Sequence, residues 1–261
     1  MRSFIAAALL CTTSPLAAQI ATPDRPVTDP KSQSSQARPE LQGMSVDTVN
    51  ARASAIRDTF LAAVRRCGVT PTFIPNIKID TDPGVVFYLY ADRSVHLSRW
   101  VDLPQPLKEF ITVWAAQGTM GLNPEQMFGE IFNDFLVAHE LGHYLAHMSG
   151  RSRTLDPTDG ETEANQIALA FWSLNDTDRE RLPLRYENYT KFLLALPNPV
   201  PEGQDPRKYL AQNYSKVSQD GLAYGWYQGR FLKDAWGKRS ERDFCGWVKL
   251  NSPIPVSEIE K

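Results

Sequence analysis

Cysteine is scarce, with three residues in a chain of 261. So few thiols exclude a four-cysteine zinc site. Basic runs are also lacking. The chain carries 28 Lys and Arg against 30 Asp and Glu, a net charge of −2, and no dense Lys/Arg block. A nucleic-acid groove and an anionic membrane surface are therefore not expected as partners. No apolar stretch reaches the roughly 20 residues that a membrane span needs. No internal repeat is present, and the composition is neither collagen-like, coiled-coil nor fully disordered. Histidine is rare too, four in the whole chain. Any patterned pair of histidines is then informative.

What is present is enough for one well-filled core: 42% hydrophobic residues and 22% charged ones. The N-terminus reads as a separate piece. Met1-Arg2 is basic, Ser3 to Leu10 is apolar, and small residues lead to Ala17-Ala18. This predicts a secretory signal peptide over 1–18, cleaved after Ala18, and a periplasmic or secreted protein with no membrane partner after cleavage. Residues 19–43 are rich in Pro, Ser, Gln, Asp and Arg and predict a flexible leader. The folded domain is expected over 44–261. Cleavage would remove Cys11 and leave Cys67 and Cys245, which an oxidising compartment would pair.

The domain opens with Ser45 as a helix cap, followed by Val46, Val49, Ala53, Ile56, Phe60 and Val64 at helical spacing. Three strand-like runs follow, Thr72 to Ile79, Val85 to Tyr90 and Ser94 to Trp100, with Asp92-Arg93 as a hairpin turn. The rest reads as helices: 106–116, then Pro124 to about His147, about Asp159 to Ser173, about Asp178 to Leu196, and Pro206 to Trp236 with a break near Asp220-Gly221. A helix, a small sheet and then several helices make an α+β fold in one domain.

His139-Glu140-Leu141-Gly142-His143 matches H-E-x-x-H within one of these helices. Residues i and i+4 share a helix face, so both imidazoles can reach one zinc ion. Glu140 lies beside them, where it can take a proton from water that the metal acidifies. A packed or solvated helix face could carry the same two histidines without a metal. The third ligand is not on this helix. The metzincin pattern would need Gly and His where Ala146 and Ser149 stand. His139 and His147 are two turns apart, about 12 Å by helix rise. His147 is expected to pack or to line a rim, and His96, on a strand, is an outside candidate.

Gly160-Glu161-Thr162-Glu163-Ala164-Asn165 opens the next helix. With it the sequence resembles the gluzincin metallopeptidases, and more closely exported bacterial ones with HExGH followed by E-x-x-A-D. The resemblance is specific over about Glu130 to Phe171. It implies a zincin-like fold, with His139, His143 and Glu161 as zinc ligands and Glu163 as the alternative to Glu161. It also implies that Asn165, standing where the pattern has Asp, accepts a hydrogen bond from His139. Helix-dipole stabilisation of acids at the helix start would equally explain the glutamate pair. Ala164 and Ala168 would allow this helix to pack closely on the HELGH helix.

Downstream, Tyr224-Gly225-Trp226-Tyr227-Gln228-Gly229-Arg230-Phe231 resembles an aromatic–glutamine helix of similar peptidases. An aromatic core stripe is the simpler reading, and Tyr227 is kept as a catalytic candidate that could stabilise an oxyanion. The strand over Tyr88 to Ser98 could bind an extended substrate by main-chain bonds. The expected protein is an exported zinc metallopeptidase acting on a peptide or protein substrate, with Glu140 as general base. Two other readings stay open: a zinc hydrolase of a non-peptide substrate, and a non-catalytic exported zinc-binding domain.

Overall fold

The computed structural model describes residues 42–80 and 85–252. The expected signal peptide and nearly all of the leader lie outside the described residues. Helix α1 (Val46–Arg66) starts where Ser45 caps it, its hydroxyl accepting the Thr48 N–H at 3.1 Å. Val49, Ala53, Ile56, Phe60 and Val64 form its buried stripe. Its C-cap is Cys67, which is disulfide-bonded to Cys245 with Cα atoms 5.1 Å apart. Cys245 lies on helix α9 (Phe244–Leu250), whose Phe244 meets Phe60 edge-on at 5.2 Å. Constraining so long a loop contributes about 4–5 kcal/mol through unfolded-chain entropy. Helix α9 was not expected from the sequence, because seven residues are too few to show a period.

Strands β1 (Asn76–Ile79), β2 (Val86–Leu89) and β3 (Ser94–Leu97) form one sheet in the order β1-β3-β2. β1 runs parallel to β3, and β2 runs antiparallel to it, with Phe87 opposite His96 and Tyr88 opposite Val95. The β2–β3 turn passes through Arg93 at φ 57°, and the Asp92 carboxylate accepts the Ser94 N–H. The strands are shorter than the apolar runs suggested, and the third run ends in a 3-10 turn over Trp100–Asp102. Among the described residues, strand β2 pairs with β3 on one side only. Its other edge faces the HELGH helix.

Helix α2 (Gln105–Gln117) leads to a long rod. The rod is α3 (Pro124–Glu130), a π-helical stretch over Ile131–Phe135, and α4 (Leu136–Met148). The sequence predicted one uninterrupted α-helix here. Phe128, Ile131, Phe132 and Phe135 fit an α stripe as well as they fit the wider π turn, so periodicity does not separate the two. The π stretch lets Asn133 donate to the Ser98 carbonyl at 3.1 Å while Asp134 meets arginines of two other helices.

Helix α5 (Pro157–Trp172) starts two residues before the expected position. Pro157 opens it under an Asp156 cap rather than belonging to the preceding loop. Helices α4 and α5 cross tightly at Gly142, where a Cβ would come within 2.9 Å of the Ala164 Cα. This contact requires glycine at that place in the HELGH motif. Helices α6 (Asp176–Ala195), α7 (Pro206–Val217) and α8 (Gly221–Gly237) complete the fold. Helix α6 brings Arg185, fully buried, onto Glu130 at 2.6 Å and onto Asp134. The architecture is α+β and mostly helical, with the small sheet against one side of the rod. Among the described residues, no helix is long and apolar enough to cross a membrane.

Candidate metal centre

Helix α4 presents His139 and His143 one turn apart, with Nε2 atoms 3.2 Å from each other. Helix α5, held close by the Gly142–Ala164 contact, presents Glu161 to both. Glu161 Oε2 lies 3.3 Å from His139 Nε2, and Oε1 lies 3.8 Å from His143 Nε2. Donor atoms of the three side chains all lie within 4.8 Å of one another, a spacing that could hold a metal ion. A tetrahedral zinc ion with bonds of 2.0–2.1 Å separates its ligand atoms by about 3.3 Å. The residues present therefore fit such an ion. All three are buried, at 0%, 3% and 2% exposure.

Glu140 sits beside this group and is itself fully buried. Its Oε2 accepts the main-chain N–H of Tyr88, on the open edge of β2, at 2.8 Å. Its Oε1 has no hydrogen-bond partner among the described residues. Burial, with the Glu161 charge added, pushes the Glu140 carboxyl up to about 7, against the pull of His139 and of the Tyr88 N–H. Glu161 moves the other way. Burial alone would raise it, but the bonds to His139 and His143 hold it well below the usual carboxylate range. Two neighbouring carboxylates are thus driven apart, one towards the protonated form and one firmly charged.

Glu161 has further supports. Tyr224 donates its hydroxyl to Oε1 at 3.1 Å, and Gln228 donates its side-chain N–H to Oε2 at 3.0 Å. Both come from α8, one turn apart. Tyr214 of α7 approaches the same Oε1 at 3.5 Å. Burial and the Glu161 charge keep the Tyr224 phenol protonated, and hence a donor.

Several expected roles fall elsewhere. Tyr227 donates to the Pro206 carbonyl at 2.9 Å and stacks on Phe231, away from Glu161. It lies about 100° of helix from Gln228 and about 60° from Tyr224, on the side away from Gln228. Glu163 faces Arg151 at 2.7 Å and Asn251 at 2.9 Å, so it is Glu161 that joins the histidines. Asn165 does not hold His139. Its side-chain N–H donates to the Glu161 main-chain carbonyl at 3.0 Å, and His139 Nδ1 has no hydrogen-bond partner among the described residues. His147 packs as expected, bonded to the Tyr88 hydroxyl at 2.8 Å. His96 lies between Asp80 and Asp92 under the ring of Phe87, not in the group.

Sequence reasoning missed Tyr224 and Gln228 as partners of Glu161. Their i, i+4 spacing on α8 was the available signal. The edge-strand N–H of Tyr88 carried none, because any residue supplies one. No family model, curated protein or solved structure matches the chain, so the chemistry of this centre rests on its own geometry.

Proposed function

We propose that the protein is an exported zinc-dependent metallopeptidase of gluzincin type. The observation that carries this reading is the pairing of a two-histidine, one-carboxylate donor set with a second carboxylate, Glu140, beside it and bonded to neither histidine. His139, His143 and Glu161 would hold the ion. Zinc suits a set of imidazole and carboxylate donors, and three protein ligands leave a fourth position open for chemistry. Bound there, it would supply Lewis acidity towards a peptide carbonyl and acidify water.

The chain's own residues do the rest. Glu140 accepts the proton of the attacking water and returns it to the departing amine. The Tyr88 N–H fixes its carboxylate, so the unpartnered Oε1 is the oxygen left for that proton. Tyr224 and Gln228 fix Glu161 in rotation. Orientation of a ligand by such outer contacts typically changes metal affinity or activity by 10- to 100-fold. The disulfide and the apolar N-terminal run both support export.

The near-complete burial of the group favours a second reading, in which the metal serves the fold alone. Glu140 argues against it, because a structural site has no use for a buried carboxylate that is not a ligand. The test is Glu140→Gln in the zinc-loaded protein. The amide is nearly isosteric, so zinc content should stay unchanged while cleavage of a broad peptide library falls by at least about 10³-fold. Equal cleavage by both proteins would refute the mechanism. Zinc retained with no cleavage by the wild type would favour the structural reading.

A further inference from the structure

Tyr88 of β2 meets the HELGH helix at two points. Its main-chain N–H donates to Glu140 Oε2 at 2.8 Å, and its hydroxyl lies 2.8 Å from Nδ1 of His147. Glu140 and His147 are seven residues apart, so they share one face of α4 and stand about 10 Å apart along its axis. One residue of the strand therefore spans two turns of the helix. Tyr88 is fully buried, and burial raises its phenol, which keeps its proton and remains a donor. Burial, with the charges of Arg93 and Arg153, lowers His147 below its usual value. The imidazole is then held neutral and offers one unprotonated nitrogen as acceptor.

The second point matters because strand pairing does not fix this edge of β2 against α4. Among the described residues β2 pairs with β3 alone. A slip by one residue would turn Tyr88 to the opposite face of the sheet, where Phe87 stacks on His96 at 4.7 Å. Glu140 would then lose its donor. Its Oε1 has no hydrogen-bond partner among the described residues, so the orientation of this carboxylate depends on the Tyr88 N–H. Ring packing also restrains the strand. The His147 ring meets Tyr90 at 5.0 Å and Phe73 at 5.5 Å, both edge-on, and the Tyr88 ring meets Tyr90 at 5.2 Å. Apolar contact is non-directional, and any ring of similar size would supply it. The hydroxyl–imidazole bond is directional and sets where Tyr88 lies along α4.

We propose that His147 is a positioning residue for Glu140: by holding the Tyr88 hydroxyl it keeps the edge strand in place, so that the Tyr88 N–H stays on the Glu140 carboxylate and Oε1 stays turned to its task. The proposal rests on the metallopeptidase reading, in which Glu140 is the base. His147 touches neither the donor set nor Glu140 and acts through Tyr88 alone.

Tyr88→Phe, His147→Leu and His147→Asn in the zinc-loaded full-length protein test it by two readouts. Tyr88→Phe keeps the ring and removes only the hydroxyl. Asparagine can place an amide oxygen near the position of Nδ1 and so replace the acceptor. The first readout is hydrogen exchange of the residue-88 amide, which needs no turnover. Exchange should be about 10-fold faster or more in Tyr88→Phe and His147→Leu, with the α4 amides unchanged, and near the wild-type rate in His147→Asn. The second is cleavage of a fluorogenic peptide drawn from the broad library. In the same two variants kcat should fall by about 10- to 100-fold with KM within about 2-fold and zinc content unchanged, and His147→Asn should recover to within about 3-fold of wild type. An unchanged exchange rate in Tyr88→Phe and His147→Leu, beside an active wild type, would overturn the positioning role and leave the metallopeptidase standing. A loss of kcat that His147→Asn does not recover would also overturn it, because packing alone would then explain the loss. A zinc-loaded wild type that cleaves no peptide would overturn the metallopeptidase reading and the proposal with it.

Discussion

Among the described residues, Glu130 and Asp134, on the upstream half of the HELGH rod, meet three arginines, and Glu140 on the downstream half and Glu161 facing it meet none. Upstream, Arg185 bonds Glu130 at 2.6 Å and also reaches Asp134, Arg181 approaches Glu130 at 3.3 Å, and Arg52 bonds Asp134. Burial opposes the charge on Arg185, but Asp134 and Glu130 outweigh it and hold the guanidinium more firmly protonated than usual. Its Cζ also lies 4.9 Å from the centre of the Trp172 ring. Downstream, the groups acting on the two glutamates are histidines, tyrosines, an amide and a main-chain N–H. Buried carboxylates need compensating charge. One pair has its cations built into the chain. The other has a geometry that an added cation would complete, and burial pushes its Glu140 up towards the neutral form.

The largest effect should come from breaking the upstream pair. Arg185→Met leaves two buried carboxylates without their central cation and should cost about 3–5 kcal/mol in urea unfolding. Glu161→Gln in the metal-free protein should cost much less, because the downstream group lacks a built-in cation to orphan. Similar losses from the two variants would erase the contrast.

A smaller effect lies in pH. For metal-free protein, Glu140 binds its proton up to about pH 7 when folded but releases it near 4.5 when unfolded. Its contribution to stability is therefore greatest below 4.5 and is lost as pH rises through 7, about 1–3 kcal/mol in all. Glu161 has the opposite sign. Its contribution is present above its ordinary value and disappears as pH falls through its depressed one. Glu140→Gln should flatten the limb between pH 4.5 and 7 in unfolding experiments. Bound zinc should flatten it too, because a nearby cation keeps the carboxylate ionised.

The smallest change concerns His139 Nδ1, which lacks a partner. Asn165→Asp offers it a charged acceptor one turn from Glu161 and should tighten zinc binding by about 10-fold, read by competition with a chromophoric chelator. No change in affinity would mean that position 165 does not reach His139 in the metal-bound protein either.

Much of this was legible in the sequence because it is local. Ser45 and the stripe from Val49 to Val64 mark α1, Asp92-Arg93 marks the hairpin, and His139 and His143 at i, i+4 define half of the donor set. What was not legible depends on distant partners. Arg185 reads as a solvated charge in a polar helix, and only the fold places Glu130 and Asp134 against it. The π stretch hides within an apolar pattern that an α-helix shares. Tyr224 and Tyr227 are equivalent on paper, and the packing of α8 against α5 and α7 decides which faces Glu161. The role of Asn165 differed from expectation because its amide serves its own helix.

The most direct test of this contrast is elemental analysis of purified full-length protein after zinc loading and gel filtration, beside His143→Ala and Arg185→Met. About one zinc per chain is expected in the wild type and in whatever fraction of Arg185→Met folds, and none in His143→Ala. A wild type without zinc, or equal zinc in the wild type and His143→Ala, would contradict it.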